Sequence, residues 1–209
     1  MNCKPVDYTL YLVTDSTLCP PEKLPQAVEK AILGGVTLVQ LREKDISTLD
    51  FYRIACNVKK VTDKYQIPLL INDRIDIALA VDAAGVHIGQ SDIPADIARR
   101  LIGADKLLGV SANTIETALK AQADGADYIG FGAVFPTDTK KDVSTRGVEA
   151  YWQVKNAVDI PVVGIGGIHL ENVHYLNGCD GIAVISAIIG QPDETKAAQK
   201  LLCRFRGQA

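Results

Sequence analysis

The chain has 209 residues, 47% of them hydrophobic and 22% charged, with 22 Lys plus Arg against 25 Asp plus Glu and a formal charge of -3. This composition excludes disordered and fibrous classes, and the slightly acidic balance leaves no global basic field for nucleic acid or an anionic membrane, so any anion site is local. No run reaches the roughly 18 apolar residues of a membrane span. The first apolar run, Tyr8 to Val13, is cut off by Asp15 and is too brief for a signal peptide, and five scattered cysteines without a CxxC or a Cys/His cluster read as reduced thiols. A cytoplasmic protein is the expectation.

Short runs rich in β-branched residues alternate with longer stretches of helical periodicity. The first strand spans 8–15, and its helix spans 21–34, opening after Pro20-Pro21 and stopping at Gly34-Gly35. A second strand (37–44) leads to a helix that Ser47 caps and that runs to Lys64. The strand PLLINDR, a short helix in DIALAVDAAG, the strand GVHIGQ (85–90) and a helix near Pro94 follow. The fifth strand (107–112) precedes a helix starting near Thr114, and the sixth (127–135) runs into PTDTKKDVSTRG, a polar loop longer than the usual connection. A helix over 147–158, a strand over 160–167, a helix near 170–176, a strand over 181–186 and a last helix near 193–205 complete eight pairs. Nothing is left for a second domain. Continuously apolar strands in right-handed βα repeats make a parallel sheet, and eight units favour a single (β/α)8 TIM barrel over residues 1–209. The alternative, an open doubly wound sheet, usually has fewer strands and a GxGxxG turn, which TDSTLCP is not.

In such a barrel the chemistry sits at the C-terminal strand ends, and polar residues gather there. Strand two ends in Gln40, Arg42 and Lys44 on one face, with Leu41 and Glu43 on the other. Strand three ends in Asn72, Asp73 and Arg74; Gln90, Ser91 and Asp92 follow strand four; Ser111 lies in strand five; Thr137, Thr139, Lys140 and Lys141 follow strand six. Any one of these could be a capping or loop residue, but together they supply cations and hydroxyls beside two carboxylates, Asp73 and Asp92. Oxygen ligands without a His or Cys cluster favour Mg2+, held by one or two carboxylates plus substrate phosphates, so a diphosphate substrate follows. GIGGI (164–168) and GIAVIS (181–186) end the last two strands, where barrels commonly bind a second phosphate through backbone N–H groups. His87 reads as packed or hydrogen-bonded within its strand, His169 and His174 as residues of a polar helical region, and Tyr151 and Trp152 as packing for their helix.

The motifs QLREK (40–44), NDR (72–74), GVHIGQSD (85–92), GVSA (109–112), PTDTKKD (136–142) and GIGGI (164–168), in this order, resemble the thiamine-phosphate synthase family. The resemblance implies a barrel enzyme that joins a hydroxymethylpyrimidine diphosphate to a thiazole phosphate, with Mg2+ as cofactor. It implies that Gln40, Leu41, Arg42, Glu43, Lys44, Asn72, Ser111 and Lys140 serve the pyrimidine diphosphate, that Asp73 and Asp92 hold magnesium, and that Arg42, Lys44, Ser111 and Lys140 are catalytic. Thr137, Asp138, Thr139, Gly167, Ile185 and Ser186 resemble the remaining substrate contacts, chiefly to the thiazole phosphate. The oligomeric state stays open, a homo-oligomer included. One departure is Ala133, where the family usually has proline. A tautomerase paralogue on the same barrel carries a catalytic His in that stretch, and a non-catalytic phosphate sensor would have no use for a second anion site; these are the two rival readings.

Overall fold

The computed structural model describes residues 6–137 and 145–208. Asp138, Thr139, Lys140 and Lys141 lie outside the described residues. The strands β1 (Leu10–Val13), β2 (Leu38–Leu41), β3 (Leu69–Asn72), β4 (Gly85–Ile88), β5 (Leu107–Ser111), β6 (Tyr128–Gly132), β7 (Val162–Ile165) and β8 (Gly181–Val184) pair in parallel and in sequence order. The pairing of β8 with β1, Tyr11 opposite Ala183, closes the barrel. All eight strands therefore end at one mouth.

The helices are α1 (Leu24–Leu33), α2 (Thr48–Lys64), α3 (Ile75–Ala80), α4 (Ala95–Ile102), α5 (Ile115–Ala123), α6 (Gly147–Lys155) and α7 (Glu194–Phe205). Their starts follow local chemistry. Ser47 caps α2 by accepting the Asp50 N–H at 3.1 Å, and Thr114 and Thr117 form a reciprocal capping box on α5. The helix expected from residue 21 opens only at Leu24, with Pro25 in its first turn. A correction falls on the segment near 170–176, which is a single 3-10 turn, Val173–Leu176, and not a helix. Asn172 uses its side chain on the His169 N–H (2.9 Å) and the Gly167 carbonyl (2.8 Å), and Gly178 at φ +92° turns the chain away, so no full α-helical segment fits between them.

Strand alternation produces two apolar layers. Leu10, Leu12, Val39, Leu41, Ile71, Val86, Val110, Ile129 and Phe131 face the helices, where α2 presents Phe51, Ala55 and Val58 at helical spacing. Tyr11, Leu38, Leu70, Tyr128, Val163 and Ala183 fill the barrel interior. Truncating Phe51, which is buried to 2% exposure, would cost about 3–5 kcal/mol. Tyr151 packs edge-on against Phe131 and donates its hydroxyl to the Val162 carbonyl at 2.6 Å, so α6 is pinned to the barrel as its aromatic residues suggested. The chain ends are tied together where Thr195 of α7 donates to the Lys30 carbonyl at 2.9 Å and Glu194 pairs with Lys30.

Candidate active site

On the β2–β4 side the mouth is built from charged side chains. Gln40 points into the barrel and donates to the Tyr11 hydroxyl at 2.5 Å. Arg42, two residues on, is held from two directions: its N–H donates to Thr14 Oγ1 at 3.0 Å, and its guanidinium lies 3.6 Å from Asp15. Asp15 is fixed by the Thr17 backbone N–H (2.9 Å) and hydroxyl (2.6 Å), the turn its short side chain favours. Lys44, half exposed, reaches Asp73 at 2.5 Å. Asp73 adopts φ +59°, a left-handed conformation that Asp tolerates better than most residues.

Asp92 lies beside Asp73 and accepts the Gly89 N–H at 2.7 Å. Burial pushes the Asp92 carboxyl up from its ordinary value and the neighbouring Asp73 carboxylate adds to the rise, while the Gly89 N–H and Lys44 oppose it. The two carboxylates stand side by side at the mouth and offer oxygen donors of the kind a hard cation takes. Among the described residues no group of three or more His, Cys, Asp and Glu side chains could hold a metal. A hard cation at this pair would have to take its remaining ligands from substrate oxygens and water. Arg74 turns away from the mouth and pairs with Asp76, with a bond to Thr48 at 2.9 Å.

Two residues of the QLREK run do not face the mouth with their side chains. Leu41 is wholly buried in the layer between strands and helices, so only its backbone is available to a ligand. Glu43 is buried, and neither carboxyl oxygen has a hydrogen-bond partner among the described residues. Burial raises its proton affinity and Asp15 raises it further; Ser16 and Arg42 lie close enough to favour the ionised form, Ser16 without completing a hydrogen bond.

The β5–β8 side differs in kind. A cavity of about 390 Å³ is lined there by Ser111, Thr137, Gly167, His169, Ile185 and Ser186, among others. Gly166 (φ +98°) and Gly167 (φ +64°) take conformations that L side chains rarely adopt. A Cβ on Gly167 would run into the Pro136 carbonyl and the Phe135 backbone, so the loop after β6 closes directly on the glycine turn after β7. Phe135 N–H to the Gly166 carbonyl (3.0 Å) and Val134 N–H to the Ile165 carbonyl (2.9 Å) stitch the two loops. After β8 the chain makes one helical turn, with the Ile188 and Ile189 N–H groups bonding to the Ile185 carbonyl at 3.1 and 2.9 Å. The first N–H groups of such a turn have no partner within it and are available to an anion.

Sequence reasoning missed Asp15, whose TDST turn is the available signal, and placed His169 in a helix. His169 lines the cavity instead, with Nδ1 2.7 Å from Glu171. Burial pushes the Cys179 thiol up to about 11, and Cys19 is raised for the same reason, so these two fit the reading of packed, unactivated thiols.

A family model described as "Thiamine monophosphate synthase" matches residues 10–188. A thiamine-phosphate synthase of Clostridium tetani is 59% identical over 203 residues, covering 96% of this chain and 97% of the relative. Another, of Ruminiclostridium cellulolyticum, is 58% identical over 206 residues and covers 98% of both. The solved structure of thiamine phosphate pyrophosphorylase from Pyrococcus furiosus superposes with a TM-score of 0.88 at 38% identity over 97% of each chain. A geranylgeranylglyceryl phosphate synthase from Thermoplasma acidophilum, at 16% identity and a TM-score of 0.69, shares the fold alone.

Proposed function

The chain belongs to the thiamine-phosphate synthase family, and from that membership we propose how its own residues join a pyrimidine diphosphate to a thiazole phosphate. It is a transferase, in which the thiazole nitrogen displaces diphosphate from the pyrimidine methylene carbon and thiamine phosphate results. The observation that carries the residue assignment is the division of one mouth into a charged half and a backbone-lined half, which suits two different anions.

The attacking ring nitrogen has no proton to lose, so the site needs no general base on the nucleophile. Its work is orientation and the stabilisation of departing charge. Arg42, kept in place by Asp15 and Thr14, and Lys44, released from Asp73 as ligand arrives, face the diphosphate. Lys140 joins them from the loop after β6, an assignment that rests on the sequence motif. Asp73 and Asp92 fit Mg2+, which when bound supplies charge neutralisation to the phosphate oxygens. Asn72 and Ser111 contact the pyrimidine, and bond breaking runs ahead of bond making because the electron-rich aminopyrimidine disperses the methylene cation. Gly167, Ser186 and Thr137 hold the thiazole phosphate across the cavity, and Thr139 is assigned to it by the sequence motif. Asp138 lies between Thr137 and Thr139 in the sequence, and its assignment rests on the motif. Action on free small molecules in the cytoplasm suits a chain in which, among the described residues, no helix is long and apolar enough to cross a membrane.

Ala133 is buried at the position where a tautomerase would need its histidine, which favours coupling over isomerisation. Incubating purified protein with both substrates and Mg2+ should yield thiamine phosphate and diphosphate in equal amounts. Tautomer exchange of the thiazole without coupling, or binding of one ligand without turnover, would reverse the reading.

A further inference from the structure

Five polar side chains from five strands form one continuous hydrogen-bonded chain across the barrel interior. Gln40 of β2 donates to the Tyr11 hydroxyl of β1 at 2.5 Å, and Tyr11 meets the Tyr128 hydroxyl of β6 at 2.9 Å. Tyr128 meets His87 Nδ1 of β4 at 2.8 Å, and His87 Nε2 meets Ser111 Oγ of β5 at 2.9 Å. Room for the rings is made by glycines on the facing strands: a Cβ on Gly109 would collide with the Tyr128 ring, and one on Gly130 would lie 2.8 Å from His87 Cε1. The polar chain is thus built into the packing, and it joins two residues assigned to the pyrimidine substrate, Gln40 and Ser111.

We propose that this chain fixes the direction in which Ser111 offers its hydroxyl proton, with His87 as the positioning residue that transmits the setting from Gln40 to Ser111. Each interior link has one proton to give. An amide nitrogen only donates, so the Tyr11 oxygen accepts from Gln40 and the Tyr11 proton passes to the Tyr128 oxygen. The Tyr128 proton then goes to His87 Nδ1, which must be unprotonated, and the neutral ring carries its proton on Nε2. That N–H donates to Ser111 Oγ, and the serine proton is turned outward, towards the cavity that Ser111 lines. Burial keeps both phenols well above their ordinary proton affinity, so each retains the single proton this count requires. Turning the Gln40 amide over would reverse every bond and leave Ser111 presenting a lone pair. The two directions select opposite ligand chemistry: the first fits a hydrogen-bond acceptor such as a pyrimidine ring nitrogen, the second a donor such as an amino group.

The ligand part of this inference rests on the synthase reading, but the direction of the chain does not. Nitrogen-15 NMR of histidine-labelled, ligand-free protein reads the His87 tautomer directly, with His87→Gln identifying the resonance. The expected result is a neutral ring protonated at Nε2 and bare at Nδ1. A ring protonated at Nδ1, or at both nitrogens, overturns the proposal, even if turnover is normal. In Tyr128→Phe, which removes the donor to Nδ1, the tautomer bias should weaken. kcat/KM for the pyrimidine diphosphate should then fall about tenfold, the worth of one buried hydrogen bond, while KM for the thiazole phosphate stays within about twofold. His87→Gln, whose amide can still donate to Ser111, should retain more turnover than His87→Leu; equal losses would mean that His87 only fills space and would also overturn the proposal. A wild-type protein that shows the expected tautomer but no coupling activity would support the chain and refute the synthase reading, so the two failures are distinguishable.

Discussion

The two halves of the mouth use different materials. On the β2–β4 side the groups are ionic side chains, Arg42, Lys44, Asp73 and Asp92, each oriented by a partner: Asp15 on Arg42, Lys44 on Asp73, the Gly89 N–H on Asp92. On the β5–β8 side the lining includes Gly166, Gly167, Ile185 and Ser186 beside Ser111, Thr137 and His169, and the path of the backbone shapes it. A charged wall with paired carboxylates matches a diphosphate whose charge must be neutralised as it leaves. On the proposed reading, backbone N–H groups of the turns after β7 and β8 would hold a phosphate that only has to be bound. This division would then let one mouth keep two anions apart without an interposed acid or base.

The largest effect should come from the carboxylate pair. Asp92→Asn keeps an acceptor for the Gly89 N–H but removes an ionic ligand, and turnover with saturating Mg2+ should fall by a hundredfold or more, on the order of the loss of one preorganised electrostatic contact. Because burial and Asp73 already oppose ionisation of Asp92, the same substitution should leave thermal stability at pH 7 unchanged or slightly higher. An active Asp92→Asn enzyme, or wild-type turnover in excess chelator, contradicts the assignment. Next is Lys140→Gln, for which kcat should fall about a hundredfold with little change in stability, whereas Lys141→Gln should cost almost nothing. Equal small effects would reduce the loop's charge to diffuse attraction.

Across the mouth, Gly167→Ala tests the backbone half. The position has φ +64° and no space for a Cβ, so the variant should lose about 1–3 kcal/mol of stability. KM for the thiazole phosphate should rise about tenfold or more, with KM for the pyrimidine diphosphate nearly unmoved. Matching rises in both constants would show that the halves are not independent. The smallest effect concerns Glu43. Its folded-state proton affinity is raised above the unfolded value of about 4.3, so its stabilising contribution is complete below that pH and is lost as pH rises through the folded value. Glu43→Gln should flatten this dependence and gain about 1 kcal/mol at pH 7 relative to wild type. Thermal melts from pH 4 to 8 would show it, and parallel curves for the two proteins would rule out a raised Glu43.

The charged half was largely readable in the sequence, because its chemistry depends on residue type and a strand's two-residue period places those types at one end. That period puts Leu41 and Glu43 on the opposite face; they entered through the family resemblance alone, and the fold buries both. The barrel itself was legible from eight apolar runs, and caps such as Ser47 and Thr114 marked helix starts. The 3-10 turn at Val173–Leu176 was not, since its cause is the competition of the Asn172 side chain for backbone groups. Nor could a sequence show that His87, read as packed or hydrogen-bonded in its strand, lies between Tyr128 and Ser111, because that alignment depends on the stagger of three strands and on the space left by Gly109 and Gly130. Lys140 is supported by its motif alone, as it lies outside the described residues.

Calorimetric titration of each substrate, with Mg2+ and with chelator, tests the two-sided mouth most directly. The pyrimidine diphosphate should lose most of its affinity when Mg2+ is removed, because Asp73 and Asp92 then repel it. The thiazole phosphate, which we propose is held by backbone N–H groups around Gly167 and Ser186, should bind with the same Kd in both conditions. Equal dependence of the two substrates on Mg2+, or dependence of neither, would contradict the division of the site into an ionic half and a backbone half.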